Sequence, residues 1–356
     1  MTDPVRATIA LPMSAALIER IRSVSARLEV TPLTRMQRHV YRDGRPLWAG
    51  YNEPPDPGDE SEDEARATLS EILARTEVLL TNPIVPDDIL ARARGLTWLQ
   101  LTSAGVDRLL GSDPVRSDRV QVTTASGLHA VPISEYVLGA MIAFAKGFPK
   151  ALAAQREQAW RPFWPQELEG ATVAVIGIGA IGARVAVLAK ALGMRVLAVR
   201  RSANHRMTGE DTGNTSIDEL LPPGELSNAL AEADYVVLAV PLTEETRGII
   251  GESQLRGMKP NAVIVNIARG AVIDQPALVR ALREGWIAGA ALDVTDPEPL
   301  PPNDELWTVP NVMITPHISG GTPRYMDRAV EIFCDNLARY LAGAPLRNVV
   351  DPQRGY

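Results

Sequence analysis

Three polar residues in the second half of the chain each follow a short apolar segment. Arg269 comes directly after AVIVNIA, Glu298 lies in the turn after GAALDV, and His317 comes directly after VMITP. A guanidinium binds a carboxylate through two parallel hydrogen bonds, and an imidazole, whose ordinary pKa is about 6.5, gives or takes a proton near neutrality. A carboxylate bonded to the other ring nitrogen orients the imidazole and favours its protonated form. These residue types predict an acid–base site for a small anion.

Each of the three residues also has an ordinary structural interpretation. An arginine after a strand often forms only a salt bridge, the PEP sequence around Glu298 is a common turn, and a lone histidine is usually packed or solvated. The surrounding segments favour function. TVAVIG, RVLAVR, YVVLAV, AVIVNIA, AGAALDV and VMITP are nearly uninterrupted apolar runs, which is typical of parallel strands covered on both faces. Because ligands gather beyond the carboxyl ends of such strands, the three residues are predicted to act together.

A glycine-rich turn between TVAVIG and the helical ARVAVLAKAL predicts a dinucleotide site. Gly177, Gly179 and Gly182 have the spacing G-x-G-x-x-G. The first glycine permits a tight turn, the second lets the backbone approach a pyrophosphate, and the third lets the helix pack on the strand. The amino end of the helix, with Ala180 and Ile181, offers N–H groups and a positive dipole end to phosphates. A glycine-rich turn without a ligand is the alternative.

The residues after RVLAV bear on which dinucleotide binds. An Asp or Glu at this strand end binds the ribose 2'-hydroxyl of NAD and repels a 2'-phosphate. The chain instead has Arg200, Arg201 and Ser202, followed by His205 and Arg206, and no nearby acid is expected to offset them. Guanidinium groups pair with phosphate, so the sequence predicts NADP(H), with NAD(H) possible. A solvated basic loop is the alternative.

Composition limits the class of protein. A chain of 356 residues, 46% hydrophobic and 22% charged, is long enough for two globular domains. The formal charge of -7 provides no basic field for nucleic acid. Cys334 is the single cysteine, so no intrachain disulfide can form, and no apolar run reaches the length of a membrane span. We expect a soluble cytoplasmic protein with no nucleic-acid or membrane partner and no metal site.

The segments before residue 172 predict a second α/β unit and a packing helix. ATIALP and EVLLTN have the composition of short strands, and Ser61 with Glu64 has the spacing of a helix capping box. ISEYVLGAMIAFAKGF, residues 133–148, is apolar all round and predicts a helix buried on every side, between domains or between subunits of a homodimer. The connector that follows carries aromatic residues that are expected to pack: Trp160, Phe163 and Trp164.

Seven motifs together resemble the D-isomer-specific 2-hydroxyacid dehydrogenase family. GIGAIG, VPLTEET, NIARG, LDVTDPEPLP and NVMITPHISG occur in that order, with SAGVDRL and PISEYVL upstream. The resemblance is dense over residues 131–320. It implies a two-domain α/β fold, with a doubly wound Rossmann coenzyme domain over 126–320 and a smaller flavodoxin-like substrate domain over 1–125 and 321–356. It also implies an active site in the cleft between the domains, closed by hinge motion.

The resemblance also implies a role for individual residues. Arg269 is expected to orient the substrate carboxylate, together with the backbone amides of Ser103, Ala104 and Gly105, while His317 serves as the acid and Glu298 supports it. Asp293 is expected to help hold the nicotinamide carboxamide. The remaining residues expected to line the cofactor site are Val240 and Pro241 beside the adenosine, Thr246 near the phosphates or ribose, and Ile267, His317 and Gly320. His39 and His129 belong to no motif and are expected to be structural.

The resulting functional hypothesis is an NADPH-dependent reductase of a small anionic 2-oxo acid, similar to glyoxylate and hydroxypyruvate reductases. One alternative is an NAD-dependent D-2-hydroxyacid dehydrogenase of the phosphoglycerate type. Another is a dinucleotide-sensing interaction protein, similar to the corepressors that share this fold. The segment over residues 31–60, including RMQRHVYRDGRPLWAGYNEPPD, does not align with the family and leaves the substrate open.

Overall fold

A computed structural model of the protein describes residues 3–45, 60–106, 109 and 111–351. Most of the unaligned N-terminal segment, residues 46–59, and part of SAGVDRL lie outside the described residues. The chain divides into two compact units, Met1–Leu128 with Thr322–Tyr356, and His129–Gly321. Each unit is described by itself below.

The first unit is built on a parallel sheet of five strands. The strands are β1 (Val5–Ile9), β2 (Leu28–Pro32), β3 (Val78–Thr81), β4 (Trp98–Leu101) and β5 (Gln121–Thr123), in the order β2-β1-β3-β4-β5. This is the strand order of a flavodoxin-like sheet, so the predicted fold of this unit is confirmed. Its helices up to residue 128 are α1 (Ala15–Arg22), α2 (Arg35–Tyr41), α3 (Glu62–Arg75), α4 (Ile89–Arg92) and α5 (Asp113–Arg116).

Helix α3 begins as its sequence predicts. The Ser61 hydroxyl accepts a hydrogen bond from the Glu64 amide, and the Glu64 carboxylate accepts one from the Ser61 amide, which completes a capping box. Leu69 and Leu73 are fully buried on the inner face of the helix.

The second unit is built on a sheet of eight strands. These are β6 (Thr172–Ile176), β7 (Arg195–Val199), β8 (Met207–Thr208), β9 (Glu219–Leu221), β10 (Tyr235–Leu238), β11 (Val263–Asn266), β12 (Gly289–Leu292) and β13 (Val312–Ile314). The order is β13-β12-β11-β10-β6-β7-β9-β8, and only the short β8 is antiparallel. Hydrophobic clusters cover both faces. The order β9-β7-β6-β10-β11-β12 is that of a Rossmann sheet, which confirms the predicted doubly wound fold.

The helices of the second unit cover this sheet. They are α6 (Ala130–Ala145), α7 (Phe148–Arg156), α8 (Ala180–Ala191), α9 (Gly209–Thr212), α10 (Leu226–Glu232), α11 (Glu252–Arg256) and α12 (Gln275–Arg283). Within the described residues, no single helix is long and apolar enough to cross a membrane. Helices α6 and α7 have that length and composition only when they are taken together, and the pair is bent by 64°.

The predicted helix over 133–148 differs from the structure in two respects. It ends at Ala145, because Gly147 has a φ of +68° and α7 starts after it. It is also not buried on every side in the single chain: Leu138, Ile142 and Phe144 are half-buried. The connector aromatics do not pack as expected either, since Trp160 is 97% exposed and Trp164 is 94% exposed.

The last helix, α13 (Tyr325–Leu341), returns to the first unit. The ring of Trp98 on β4 lies 5.2 Å from that of Phe333 and 5.5 Å from that of Tyr340. The buried Asn336 amide donates to Gln100 Oε1 and to the Arg347 carbonyl. Apolar stacking and buried polar contacts together hold the C-terminal segment on the first sheet.

Candidate active site

Most of the predicted site residues of the second unit lie where its parallel strands end, here called the carboxyl edge. In sheet order, His317 lies beyond β13, Glu298 beyond β12 and Arg269 beyond β11. Val240 follows β10, the glycine turn follows β6, and Arg200 follows β7. Neighbouring strands are about 4.8 Å apart, so these five steps spread the residues over roughly 24 Å. The strand order reverses between β10 and β6, the position where open sheets bind ligands.

His317 stands on a tightly bonded turn. Its φ is +55°, in the left-handed region that side chains other than glycine rarely adopt. Its amide donates to the Asp293 carbonyl at 2.8 Å and to the Thr315 carbonyl at 3.0 Å. Nδ1 of the ring lies 2.7 Å from Glu298 Oε1, and both side chains are about half exposed. The turn therefore brings the predicted acid and its supporting carboxylate together.

The buried carboxylate of Asp293 binds the turn that carries His317. Asp293 is 1% exposed, and its carboxylate accepts hydrogen bonds from the Thr315 hydroxyl at 2.6 Å and from the amides of Ile318 and Ser319 at 2.9 Å each. A carboxylate has about four acceptor positions, so one on Oδ2 remains for the carboxamide role implied by the family resemblance. The contacts with the His317 turn were not foreseen from the sequence. A buried acid ending an apolar strand was the available signal.

Tyr136 of α6 and His129, the residue directly before α6, contact the same turn. The Tyr136 hydroxyl lies 2.8 Å from Thr315 Oγ1, and His129 Nδ1 lies 3.2 Å from the Gly320 carbonyl oxygen. A side chain at Gly320 would overlap the His129 ring, so the predicted cofactor residue Gly320 is pressed against this helix start. Neither Tyr136 nor His129 was predicted to take part in the site, because neither residue directly follows a strand.

The Arg269 loop is shaped by Asn266, which the sequence analysis did not single out. The buried Asn266 side chain accepts from the Ala268 amide and donates to the Arg269 carbonyl. Gly270 packs so closely on Thr295 that a Cβ would overlap the Thr295 carbonyl, which joins this loop to the one carrying Glu298. Arg269 is half-buried and donates to the Ala268 carbonyl at 2.7 Å. The predicted cofactor residue Ile267 is buried at the start of the loop.

The glycine turn fits a pyrophosphate. Gly177 has a φ of +98°, and a side chain at Gly182 would overlap the Gly177 carbonyl, so both positions require glycine. A Cβ on Gly179, the residue before α8, meets no atom within 4 Å, so the backbone there faces open space. The next residues, Ala180 and Ile181, start the helix with N–H groups that have no intrahelical acceptor. This combination is the one that a dinucleotide phosphate requires.

The loop after β10 closes on itself beside the glycine turn. The Val240 side chain lies next to Gly177. The Thr246 hydroxyl donates to the Pro241 carbonyl at 2.6 Å and accepts from the Thr243 amide at 2.8 Å. Thr246 therefore fixes the shape of the loop that carries the predicted adenosine contacts Val240 and Pro241.

The arginines after β7 do not form one cluster. Arg200, Arg201 and Ser202 are exposed at the carboxyl edge. Arg201 NH1 lies 3.8 Å from Glu245 Oε2, so the expectation that no acid lies near them is wrong: Glu245 comes from the loop after β10, 44 residues away in sequence.

Arg206 points to a different set of partners. It pairs with Glu219, Glu225 and Glu232, and Arg195 pairs with two of these acids, Glu219 and Glu232. The hydrogen bond from Arg206 has the largest effect on the pKa of Glu219 and lowers it; burial, the next largest effect, raises it, and the hydrogen bond from Arg195 lowers it by less, so that the net shift is downward. Arg206 belongs to this network, which joins the first residues of β7 and β9.

The predicted carboxylate-binding segment lies in the first unit, directly after β4. Ser103, Ala104 and Gly105 are half-buried, and the Ser103 hydroxyl donates to the Gly105 carbonyl at 2.9 Å. The Ser103 carbonyl accepts from the Ala125 amide, and the Tyr325 hydroxyl donates to the neighbouring Thr102 carbonyl. These contacts fix the turn at the carboxyl end of the first sheet.

Comparisons with known proteins show the family of this chain. The model of the D-isomer specific 2-hydroxyacid dehydrogenase NAD-binding domain matches residues 138–319. A glyoxylate reductase of Korarchaeum cryptofilum is 35% identical over 284 residues, covering 77% of this chain and 82% of the relative. A D-3-phosphoglycerate dehydrogenase of Methanocaldococcus jannaschii is 35% identical over 269 residues, covering 75% of this chain and 50% of the relative.

Solved structures show the same architecture over the whole chain. A D-isomer specific 2-hydroxyacid dehydrogenase from Xanthobacter autotrophicus, solved in complex with NADPH and MES, is 27% identical, covers 100% of both chains and has a TM-score of 0.76. The family match spans more than half of the chain, and the resemblance that the motifs suggested is confirmed. The chain belongs to the D-isomer-specific 2-hydroxyacid dehydrogenase family of oxidoreductases.

Proposed function

We propose that this protein reduces a small 2-oxo acid to the D-2-hydroxy acid with NADPH, in the manner of glyoxylate and hydroxypyruvate reductases. The observation that carries the proposal is the 2.7 Å contact between His317 Nδ1 and Glu298 Oε1 on the carboxyl edge that also carries Arg269 and the glycine turn. Because Nδ1 of His317 contacts Glu298, Nε2 of the same ring remains for a substrate oxygen. The glyoxylate reductase of Korarchaeum cryptofilum, at 35% identity, supports the substrate class.

The proposed reaction assigns one task to each side chain. An ionised carboxylate only accepts hydrogen bonds, so Nδ1 of His317 carries a hydrogen toward Glu298, and Nε2 carries the proton to be given. Arg269 binds the substrate carboxylate through two parallel bonds, with the amides of Ser103, Ala104 and Gly105 as further donors. As negative charge develops on the carbonyl oxygen, His317 transfers its Nε2 proton there. Glu298 stabilises the imidazolium before the transfer.

A bound nicotinamide supplies the hydride. The residues proposed to hold the dinucleotide are the glycine turn with Ala180 and Ile181 at the phosphates, the Val240 loop with Thr246 at the adenosine side, and Ile267, Asp293, His317 and Gly320 at the nicotinamide side. Arg200, Arg201 and Ser202 are proposed to select the 2'-phosphate of NADP(H). The NADPH-bound structure from Xanthobacter autotrophicus supports this choice.

The test is a set of initial rates followed by cofactor absorbance. Glyoxylate, hydroxypyruvate, pyruvate and a phenyl-bearing 2-oxo acid are each assayed with NADPH and with NADH. We expect turnover of at least one small 2-oxo acid, faster with NADPH than with NADH. Absence of turnover with all four, despite measurable NADPH binding, would contradict the proposed reaction.

A second candidate is an NAD-dependent D-2-hydroxyacid dehydrogenase of the phosphoglycerate type. Glu245 beside Arg201 favours it, because an acid near the ribose end reduces the attraction for a 2'-phosphate. The 35% identity to a D-3-phosphoglycerate dehydrogenase, of which this chain spans about half, points in the same direction. Higher kcat/KM with NAD and a D-2-hydroxy acid than with NADPH and any 2-oxo acid would select this candidate.

We also propose a homodimer that forms through α7 and the connector after it. Phe148 and Leu152 on α7 are 51% and 55% exposed, and Trp160 and Trp164 on the connector are almost fully exposed. Phe163 joins the two segments, because its ring lies over Gly147 and lines a cavity of about 300 Å³ against α7. Exposed apolar side chains that form a contiguous patch usually mark an interface, and we propose that these side chains do so. A cytoplasmic location is part of the proposal, in keeping with a single cysteine.

Sedimentation measures this assembly directly. We expect a dimer of the 38.5 kDa chain at micromolar concentration. The variant Trp160→Ser/Trp164→Ser should sediment as a monomer with an unchanged circular dichroism spectrum. A wild-type chain that stays monomeric would contradict the dimer.

A further inference from the structure

We propose that Tyr136 is a positioning residue for His317 and that it acts through Thr315 and Asp293. The inference rests on the proposed function of His317 as the acid. It assigns to α6 a part in the reaction that was not predicted from the sequence, because Tyr136 and Thr315 lie 179 residues apart in the chain.

The direction of each hydrogen bond follows from the donors present. Thr315 has one hydroxyl hydrogen, and it goes to the Asp293 carboxylate at 2.6 Å, which only accepts. The 2.8 Å contact between Thr315 Oγ1 and the Tyr136 oxygen therefore has tyrosine as the donor. The result is a chain of donors from Tyr136 through Thr315 to Asp293. Each bond in such a chain polarises and strengthens the next.

The tyrosine keeps its hydrogen for this bond. Burial raises the pKa of Tyr136; the hydrogen bond with Thr315 lowers it and the charge of Asp293 raises it by smaller amounts. The hydroxyl therefore remains a donor over the working range of an enzyme.

Thr315 connects this chain to the His317 backbone. The Thr315 carbonyl accepts the His317 amide at 3.0 Å, while its hydroxyl joins Tyr136 to Asp293. His317 holds a left-handed φ of +55°, a conformation that persists only where surrounding contacts impose it. Thr315, whose carbonyl accepts the His317 amide, is thus bound both by Asp293, which follows β12, and by Tyr136 of α6.

The same helix also contacts the far end of the turn. His129, at the start of α6, lies 3.2 Å from the Gly320 carbonyl. Tyr136 of α6 therefore contacts Thr315, two residues before His317, and His129, directly before α6, contacts Gly320, three residues after His317. Losing the Tyr136 hydroxyl releases the nearer of these contacts.

The test is the single-turnover rate of NADPH oxidation at saturating 2-oxo acid in Tyr136→Phe. We expect a loss of about tenfold, since small misplacement of a reacting group is costly. KM for the 2-oxo acid and Kd for NADPH should stay within about twofold. Tyr235→Phe is the matched control: this tyrosine of the same unit is buried, its pKa is raised to about 12 mainly by burial, and it begins β10 at the end opposite the carboxyl edge. It should keep the wild-type rate.

A double variant tests the route. Thr315→Val removes the hydroxyl in the middle of the chain, so Tyr136→Phe/Thr315→Val should be no slower than Thr315→Val alone. A product of the two separate losses would show that Tyr136 acts by another route and would overturn the proposal. So would a Tyr136→Phe rate within twofold of wild type, or an equal loss in Tyr235→Phe.

Histidine NMR separates this inference from the proposed reaction. The chain has four histidines, and the His317 ring signals are assigned by their absence in His317→Gln. In Tyr136→Phe the His317 ring signals should shift or broaden while those of His39 and His205 stay unchanged; unchanged His317 signals would overturn the inference. Absence of wild-type turnover together with shifted His317 signals would contradict the reaction and leave the positioning role in place.

Discussion

The two ends of the carboxyl edge in the second unit are built differently. At the β13 end, His317 stands on a turn fixed by a buried carboxylate, two backbone amides, a threonine and a helix. At the β7 end, Arg200, Arg201 and Ser202 are exposed, and Arg201 lies 3.8 Å from the carboxylate of the exposed Glu245. The residues proposed for proton transfer are held by buried hydrogen bonds, whereas those proposed for cofactor choice are exposed. Substitutions at the two ends should therefore differ in the size of their effect and in the property that they change.

The largest effect on the reaction rate is expected from removal of the His317 ring. His317→Ala should lower the single-turnover rate by about 1000-fold, the usual range for loss of a general acid. NADPH binding, measured by fluorescence titration, should change little, because the glycine turn is intact. Loss of NADPH binding without a separate loss of rate would contradict the role of His317 as the acid.

The buried support should come next. In Asp293→Asn one carboxylate oxygen becomes an NH₂ group that cannot accept from Thr315, Ile318 or Ser319, so a buried donor loses its partner. We expect a loss of about 100-fold in kcat and a lower unfolding temperature. Asp296→Asn in the same loop, where the side chain is exposed, serves as the control for stability. An equal unfolding temperature for the two variants would mean that the buried contacts do not hold the turn.

The exposed end should change selectivity without loss of fold. Arg200→Asp should shift the ratio of kcat/KM for NADPH over NADH toward NADH by about 30-fold, as expected for loss of a charge-assisted contact with phosphate. The unfolding temperature should stay near that of the wild type. An unchanged ratio would place Arg200 outside the cofactor site.

Arg206 separates the two sets of cations. Arg206→Ala should leave the cofactor ratio unchanged but lower the unfolding temperature by about 2 °C, since exposed ion pairs are weak. Arg206 lowers the pKa of Glu219, so its contribution is present above the ordinary glutamate pKa and is lost as pH falls through the lowered one. The difference in unfolding temperature between variant and wild type should therefore be larger at pH 7 than at pH 3. A changed ratio of kcat/KM for NADPH over NADH would show that Arg206 contributes to binding of the 2'-phosphate.

The smallest effect is expected at Glu245. Glu245→Gln removes the acid that lies 3.8 Å from Arg201 and should raise the preference for NADPH by about twofold, with less effect at high salt. Kd for both dinucleotides at two ionic strengths measures it. A lower preference for NADPH would show that Glu245 orients Arg201 toward the phosphate.

The features that the sequence predicted are those set by local rules. The glycine turn was predicted because Gly177 and Gly182 stand where a side chain would collide with the backbone, and the Ser61 cap because its partner is three residues away. Long apolar strands were predicted from their composition. The short strands β5 (QVT) and β9 (ELL) were not, because each has only three residues and begins with a polar one, whereas the equally short β13 (VMI) is wholly apolar. Helix α6 was predicted, but its buried face was not, since an all-apolar helix does not indicate which side meets the core.

By itself, the sequence determined the family, the fold class and the residues that stand at strand ends, because these depend on period, glycine spacing and motif order. Only the tertiary structure decided which partner each side chain takes: Arg206 with Glu219, Arg201 near Glu245, and Tyr136 with Thr315. A hydrogen bond or ion pair needs two groups within about 3 to 4 Å. In a doubly wound sheet, that proximity is set by strand order, which brings together residues far apart in the chain.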